Sequence, residues 1–198
     1  MPVPDDPKRN PRVRIREERV LSRAWYLLRS FTFDYQGSDG SWTEQKREVY
    51  DRGNGATILL HDETRDTVLL TRQFRLPAYL NGHPDGMLIE APAGLLDGDD
   101  AETAIRREAE EETGYRVGPV TKIGEYFMST GSVTEKLAFF TASYHAEARV
   151  SGGGGLAGEG EDIEVIEVTL AEALAMVERG EIADAKTVLL LRFAQAAG

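Results

Sequence analysis

The stretch "DAETAIRREAEEETG", residues 100–114, is the part of this chain that most restricts its fold. It opens on Asp100, a side chain suited to accept hydrogen bonds from the free amides of a first helical turn. It stops at Gly114, which tolerates the left-handed backbone that ends helices. Strong helix formers lie between, so the segment predicts one helix of about three to four turns. The sequence around it has a different rhythm, with short alternating or aromatic-rich runs separated by turn compositions. "AWYLLRSFTFDYQ" and "SWTEQKREVY" flank "GSDG", and "ATILLH" and "TVLLTRQFR" flank "DETRD", which predicts two hairpins. "GMLIEAPAG" is read as a strand ending in a loop, because Pro92 and Gly94 both oppose helix continuation. Further strands are expected in "VTKIGEYFMS", "EKLAFFTASYHA" and "IEVIEVTL", and two closing helices in "LAEALAMVERGE" and "DAKTVLLLRFAQAA". Hairpins, one helix, more strands and then helices predict an α+β fold, a mixed β-sheet sandwiched between helices. A small N-terminal β subdomain is expected over residues 1–48 and the main domain over residues 49–198.

Composition narrows the function classes. With 198 residues, 41% of them hydrophobic, and no apolar run near the length of a membrane span, the chain predicts a soluble globular domain with an appended subdomain and no membrane partner. Cysteine is absent, which excludes disulfides, thiolate metal sites and cysteine nucleophiles and fits a cytoplasmic setting. His61, His83 and His145 are isolated, so a histidine zinc site is not expected. The start, "MPVPDDPKRNP", has no apolar centre and is read as a loose tail, neither signal peptide nor anchor. A net charge of −11 argues against nucleic-acid binding, which relies on summed positive charge. One stretch, "KRNPRVRIREER", is locally basic. Its Arg12, Arg14 and Arg16 alternate onto one strand face, read as a solvated edge guarded by charge, or else as a contact for a phosphorylated small molecule or a partner subunit.

The acidic half of the central helix is the strongest chemical signal. Four of the five residues Glu108–Glu112 are glutamates. On a helix Glu108, Glu111 and Glu112 share a face while Glu110 turns aside. Like charges at that spacing repel, and glutamates near a helix C-terminus also meet the negative end of the macrodipole. A solvated face is the bland reading. A hard divalent cation is the reading that accounts for the crowding, since magnesium takes carboxylate oxygens, waters and substrate phosphates into its shell.

The surroundings decide between these readings. "EAPAGLLDGDDAETAIRREAEEETGY" joins a strand end, a glycine loop and an acidic helix, and it resembles the Nudix box. Gly94 stands at the first glycine, and Arg107, Glu108, Glu111, Glu112, Gly114 and Tyr115 fall in register on the second half. Asp100 replaces the first glutamate of the pattern, Ala109 fills the aliphatic position, and one residue is missing at the loop-to-helix junction. Beyond the box, "KREVYDRGNGATILL", "RQFR", "LIEAPAGLLD", "GSVTEKLAFF", "EDIEVIEV" and "GEIADAKTVLLL" resemble Nudix hydrolases of the GDP-mannose pyrophosphatase branch, close to the ADP-ribose pyrophosphatases.

The resemblance implies Mg2+ as cofactor, with Mn2+ as a substitute. Glu108 and Glu112 would be principal ligands, Glu111 a support or the ligand of a further metal, the Ala93 carbonyl a contributor, and Arg107 the residue that orients the glutamates. It implies a nucleoside diphosphate sugar as substrate, GDP-mannose first and ADP-ribose as the alternative. It also implies a homodimer in which the N-terminal β subdomain of one chain helps to build the other chain's site. A non-catalytic nucleotide-sugar-binding module is the reading from another class, and it is disfavoured because the box glutamates are present.

Other motifs are weaker. Gly153, Gly155 and Gly158 have GxGxxG spacing, but a strand rather than a helix follows, so helix amides cannot meet a pyrophosphate there. The four glycines of "SGGGGLAGEGED" imply a mobile loop able to bring a base onto bound substrate. Glu159 and Glu161 both stand at its end, where this branch places its catalytic carboxylate, and the sequence does not choose between them. Arg72 and Arg75 of "RQFR" and Arg52 of "YDRG" are candidates to hold a diphosphate through bidentate contacts, or else are surface charges. Tyr26, Phe31 and Phe33 are read as hairpin core in preference to a base-stacking platform. Ser132 lacks the GxSxG elbow of a serine hydrolase.

Overall fold

The computed structural model of the protein describes residues 10–156, 158 and 160–197. The chain begins with strands β1 (Val13–Arg23), β2 (Leu27–Gln36), β3 (Trp42–Asp51), β4 (Gly55–Asp62) and β5 (Thr67–Phe74). Helix α1 (Leu76–Leu80), strands β6 (Met87–Glu90) and β7 (Ala93–Leu95), and helix α2 (Ala101–Thr113) follow. Strands β8 (Thr121–Phe127) and β9 (Lys136–Ser143), a short 3-10 helix (Ala146–Ala148), strand β10 (Glu164–Thr169) and helices α3 (Leu170–Glu178) and α4 (Ala185–Ala197) come next. Two compact units emerge: the described residues up to Asn54 together with Phe127–Lys136, and Gly55–Tyr126 together with the described residues from Leu137 onward.

The first unit is an antiparallel sheet in the order β1-β2-β3. β1 is its edge strand and is exposed from Arg14 to Arg23. Its register against β2 slips between Ile15 and Glu17 and again between Val20 and Ser22, irregularities of the kind that blunt an open edge. The three alternating arginines have partners in their own sheet. Arg12 donates from Nε to the Gln36 carbonyl at 2.7 Å, Arg14 lies 3.8 Å from the centre of the Trp42 ring, and Arg16 donates from Nε to Asp34 Oδ2 at 2.6 Å. Residues 127–136 join this unit through Tyr50, whose amide donates to the Ser132 carbonyl and whose carbonyl accepts from the Thr134 amide.

The second unit holds a seven-stranded mixed sheet with β10-β5-β4-β9-β8 along its path, β6 on β5 and β7 on β4. β4 and β9 run parallel and the other registered pairs of this sheet are antiparallel. Central strands covered on both faces read as continuous apolar runs, and β4, "GATILLHD", is buried at every residue from Gly55 to Leu60. Ala56, Ile58 and Leu60 pack with Ile105 and Ala109 of α2 and with Leu69, Ala138 and Phe140. The alternate residues Thr57 and Leu59 face the other way, toward the layer of α3 and α4, where Leu190 and Leu191 are fully buried. Among the described residues no helix is long and apolar enough to cross a membrane.

The structure departs from the sequence expectation at two short elements. The loop expected after "GMLIE" contains β7, because its backbone finds partners on β4, and α1 forms from "LPAYL" with proline in its first turn, the position where the missing amide costs nothing.

Candidate active site

The site is built on α2. Asp100 caps its start, with its side chain accepting from the amides of Glu102 and Thr103 and from the Thr103 hydroxyl at 2.7 Å. Those bonds hold the Asp100 carboxyl below its ordinary range. In the shortened box this residue is therefore a helix cap. Gly114, at φ 80°, ends the helix in the left-handed conformation.

The helix period grades the glutamates by depth. Ile105, Ala109 and Glu112 stand at i, i+4 and i+7, so Glu112 falls on the stripe that packs on the sheet. It is 2% exposed. Glu108 and Glu111 lie further round, with side chains 14% and 27% exposed. Glu112 Oε2 is buried and, among the described residues, without a hydrogen-bond partner. Burial, then the charges of Glu108 and Glu161, push its carboxyl up to about 8, against the pull of Arg75 and of a hydrogen bond from the Ala93 backbone. An isolated carboxylate in such a place is costly unless something compensates it.

Strand β7 brings the rest of the box to this point. Ala93 and Gly94 pair with Thr57 and Ala56 of β4. The Pro92 carbonyl accepts from the Thr57 hydroxyl and the Ile58 amide, both at 3.0 Å. Gly94 is required by space: a Cβ there would sit 2.5 Å from Glu108 Oε1 and closer still to its carboxyl carbon. Arg107 reaches Glu108 at 3.0 Å and Glu111 at 3.5 Å, so it bridges two of the three acids. On the outer flank of α2, Arg106, Arg107, Glu110, Glu111, Arg116 and Val117 line an open cavity.

A buried polar network joins Arg75 to Glu90, Asp184, Lys186 and Thr187, four residues that no sequence motif singled out. Glu90, at the end of β6, accepts from Arg75 Nε and from Lys186 Nζ, both at 2.6 Å. Lys186 also meets Asp184 at 3.0 Å. Thr187 donates to Asp184 Oδ2 and accepts from the Ala91 amide, each at 2.6 Å. Thus "ADAKT" at the start of α4 locks the strand end that precedes β7. The available signal was a lysine and a threonine beginning an otherwise apolar helix, and a glutamate closing "MLIE".

Of the remaining candidates, Arg75 joins this network, and its charge acts on Glu112. Arg72 pairs instead with Asp85 at 3.1 Å and Glu164 at 3.5 Å. Arg52 belongs to the first unit, where it meets Glu135 at 3.4 Å and the Tyr26 ring at 5.5 Å. Glu161 turns back toward the helix: its charge acts on Glu112, and its Oε2 accepts from the Leu156 amide at 2.9 Å. Glu159 lies outside the described residues. The glycine loop is followed by β10, as the rejection of a dinucleotide fingerprint requires.

Whether these residues suit a cation can be judged from the site itself. Carboxylate oxygens are hard donors, the buried Glu112 Oε2 has no hydrogen-bond partner among the described residues, and Gly94 leaves open the space that Glu108 occupies. Among the described residues no three acidic or histidine side chains stand ready around one ion position. The set fits a cation whose shell is completed by water and phosphate oxygens, the habit of magnesium.

The chain is similar to known proteins along nearly its whole length. Residues 12–50 match the family model described as the GDP-mannose pyrophosphatase NudK N-terminal domain, and residues 51–191 match the NUDIX domain model. A GDP-mannose pyrophosphatase of Salmonella paratyphi B is 55% identical over 179 residues, 90% of this chain and 93% of that one. One from Yersinia enterocolitica is 53% identical over 184 residues, covering 93% and 95%, and one from Klebsiella pneumoniae is 50% identical over 186 residues, covering 94% and 93%. A solved structure titled an ADP compounds hydrolase superposes with a TM-score of 0.71 at 17% identity over 96% of this chain and 95% of that one, a likeness of fold.

Proposed function

The chain belongs to the Nudix family of hydrolases, and on that footing we propose that it is a magnesium-dependent pyrophosphatase that cleaves GDP-mannose to GMP and mannose 1-phosphate. The observation that carries this reading is the buried Glu112 carboxylate, which has one oxygen without a partner and two further acids acting on it. Among the described residues only Arg75 and the Ala93 backbone pull against the cost of that charge, and a cation would offset it further. The substrate follows from relatives that bear the GDP-mannose pyrophosphatase name and are similar to this chain along nearly its whole length.

In this reading Glu108, Glu112, Glu111 and the Ala93 carbonyl hold Mg2+, with Mn2+ as a substitute. When bound, the cation supplies charge neutralisation for the diphosphate and acidifies water. Arg107 keeps Glu108 and Glu111 from splaying apart. Arg75, anchored by Glu90 yet 39% exposed along its side chain, presents its remaining N–H groups to phosphate oxygens, and Arg72 and Arg52 add charge to substrate binding. Glu161 accepts a proton from the water that attacks one phosphorus of the P–O–P bridge, and the bridging oxygen leaves with the other phosphate. Glu159 is the alternative base.

The N-terminal unit contributes dimerisation and substrate contacts. Exposed Ile15, Val20, Leu21 and Trp25 suit burial against a second copy of the chain. The lack of cysteine suits a reducing cytoplasm. The test is product identification from GDP-mannose, ADP-ribose and other nucleotide sugars with magnesium. GMP and mannose 1-phosphate released fastest from GDP-mannose is the expected result. Faster release of AMP and ribose 5-phosphate from ADP-ribose would overturn the substrate, and no cleavage of any compound would leave a binding module.

A further inference from the structure

The glycine-rich loop makes contacts that a tether would not need. The last carbonyls of a helix have no partner within it. In α2 those of Glu111 and Glu112 accept from the amides of Gly155 at 3.1 Å and Gly154 at 2.9 Å, and the Gly114 carbonyl accepts from the amides of Val150 and Ser151. The loop is thus bonded to the same turn that carries two of the box glutamates. Gly153, Gly154 and Gly155 have φ of 69°, 107° and 74°, a left-handed run that only glycine adopts without strain. Space adds a second demand. A Cβ on Gly153 would lie 2.5 Å from the Glu112 carbonyl oxygen, and one on Gly155 would lie 2.9 Å from both Glu161 Cβ and Ile163 Cδ1. On the far side of the loop the Leu156 amide holds Glu161 Oε2, and the Ile163 amide donates to the Gly154 carbonyl at 3.2 Å.

We propose that Gly153–Gly155 form a positioning bracket that docks the Glu161 loop onto the C-terminal turn of α2 and so sets Glu161 against Glu112. The bracket resolves the conflict between a glycine run expected to confer mobility and a base that must be placed accurately. The glycines allow the loop backbone to approach the helix end within hydrogen-bonding distance. It also removes orphan carbonyls from the end of a helix already crowded with negative charge. The inference rests on the assignment of Glu161 to proton transfer made above.

The experiment is a double-variant cycle on the full-length protein, with GDP-mannose and saturating magnesium. Gly153→Ala and Gly155→Ala should each lower kcat at least about tenfold with KM changed less than about twofold, because the site still binds but the base is displaced. Gly152→Ala, where a Cβ meets nothing, should keep full activity. In a Glu161→Gln background the alanine at 153 or 155 should cost less than about twofold more, since it acts through Glu161. If Gly153→Ala unfolds, as read by circular dichroism, Gly155→Ala decides the outcome, because its added methyl meets side-chain atoms. Full activity in both alanine variants, with Glu161→Gln inactive, overturns the bracket alone. Losses that multiply with Glu161→Gln overturn it too, since the glycines would then act elsewhere. An unimpaired Glu161→Gln overturns the assignment of the base, and the bracket with it.

Discussion

Replacing Glu112 by glutamine should make the metal-free protein more stable while destroying its activity. In the folded protein the Glu112 carboxyl is pushed up to about 8 from its ordinary value of 4.5, chiefly by burial and then by Glu108 and Glu161. A folded pKa above the unfolded one means that the folded state holds the proton more tightly, so this group's contribution to stability is intact below pH 4.5 and is lost as the pH rises through about 8. At 1.36 kcal/mol per unit, the loss is about 4 kcal/mol at pH 8 and under about 1 kcal/mol at pH 5. Glutamine keeps the shape and carries no charge at any pH.

In chelator at pH 8, Glu112→Gln should therefore melt about 10 °C above the parent protein, taking about 2–4 °C per kcal/mol for a chain of this size. At pH 5 the two should nearly coincide. Magnesium should raise the melting temperature of the parent at pH 8 and leave the variant where it was, because a cation replaces the proton at the parent's buried carboxylate. Turnover in the variant should fall more than about 100-fold, beyond the loss expected for a residue that merely supports a metal ligand. Thermal unfolding at both pH values, with and without magnesium, and one steady-state assay complete the test. A variant that melts below the parent in chelator at pH 8, or that turns over normally, would refute the reasoning about the buried charge.

Three further outcomes are expected. Gly94→Ala should fold but lose activity more than about tenfold and need more magnesium for half-maximal rate, since its Cβ would stand 2.5 Å from Glu108 Oε1; a normal magnesium titration would show that Glu108 is not held there. Lys186→Met should cost about 3–5 kcal/mol in urea unfolding, because Glu90 loses one of its two cations in a buried network, and adding Glu90→Gln should recover part of that loss. Asp100→Ala should lower the melting temperature by a few degrees and leave magnesium activation unchanged, the signature of a helix cap; a shifted magnesium requirement would make Asp100 a participant in the metal site.

Much of this could be read along the chain because it depends on neighbours three or four residues away. The caps at Asp100 and Gly114, the acidic stripe of α2 and the hairpins around "GSDG" and "DETRD" are local statements. So is the Nudix resemblance, which is a matter of spacing. The depth of each glutamate is not local. Glu108, Glu111 and Glu112 look alike in sequence, and only the packing of Ile105 and Ala109 on the sheet decides that Glu112 is the one sealed away from water.

Glycine shows the same division. Four glycines in a row suggest freedom, but here the left-handed backbone is used for close approach, a fact that exists only once α2 ends beside the loop. Arg75 stands apart from Arg72 for the same reason, since its anchor Glu90 also binds Lys186, 96 positions further along. The sequence alone determined the family, the helix that carries the acids and the chemistry those acids suit, because periodicity, capping and motif spacing are written within a few residues. Only the tertiary structure decided which carboxylate is stripped of solvent, which arginine is restrained and what the glycines touch, because burial and charge pairing are set by segments that meet after the chain has folded.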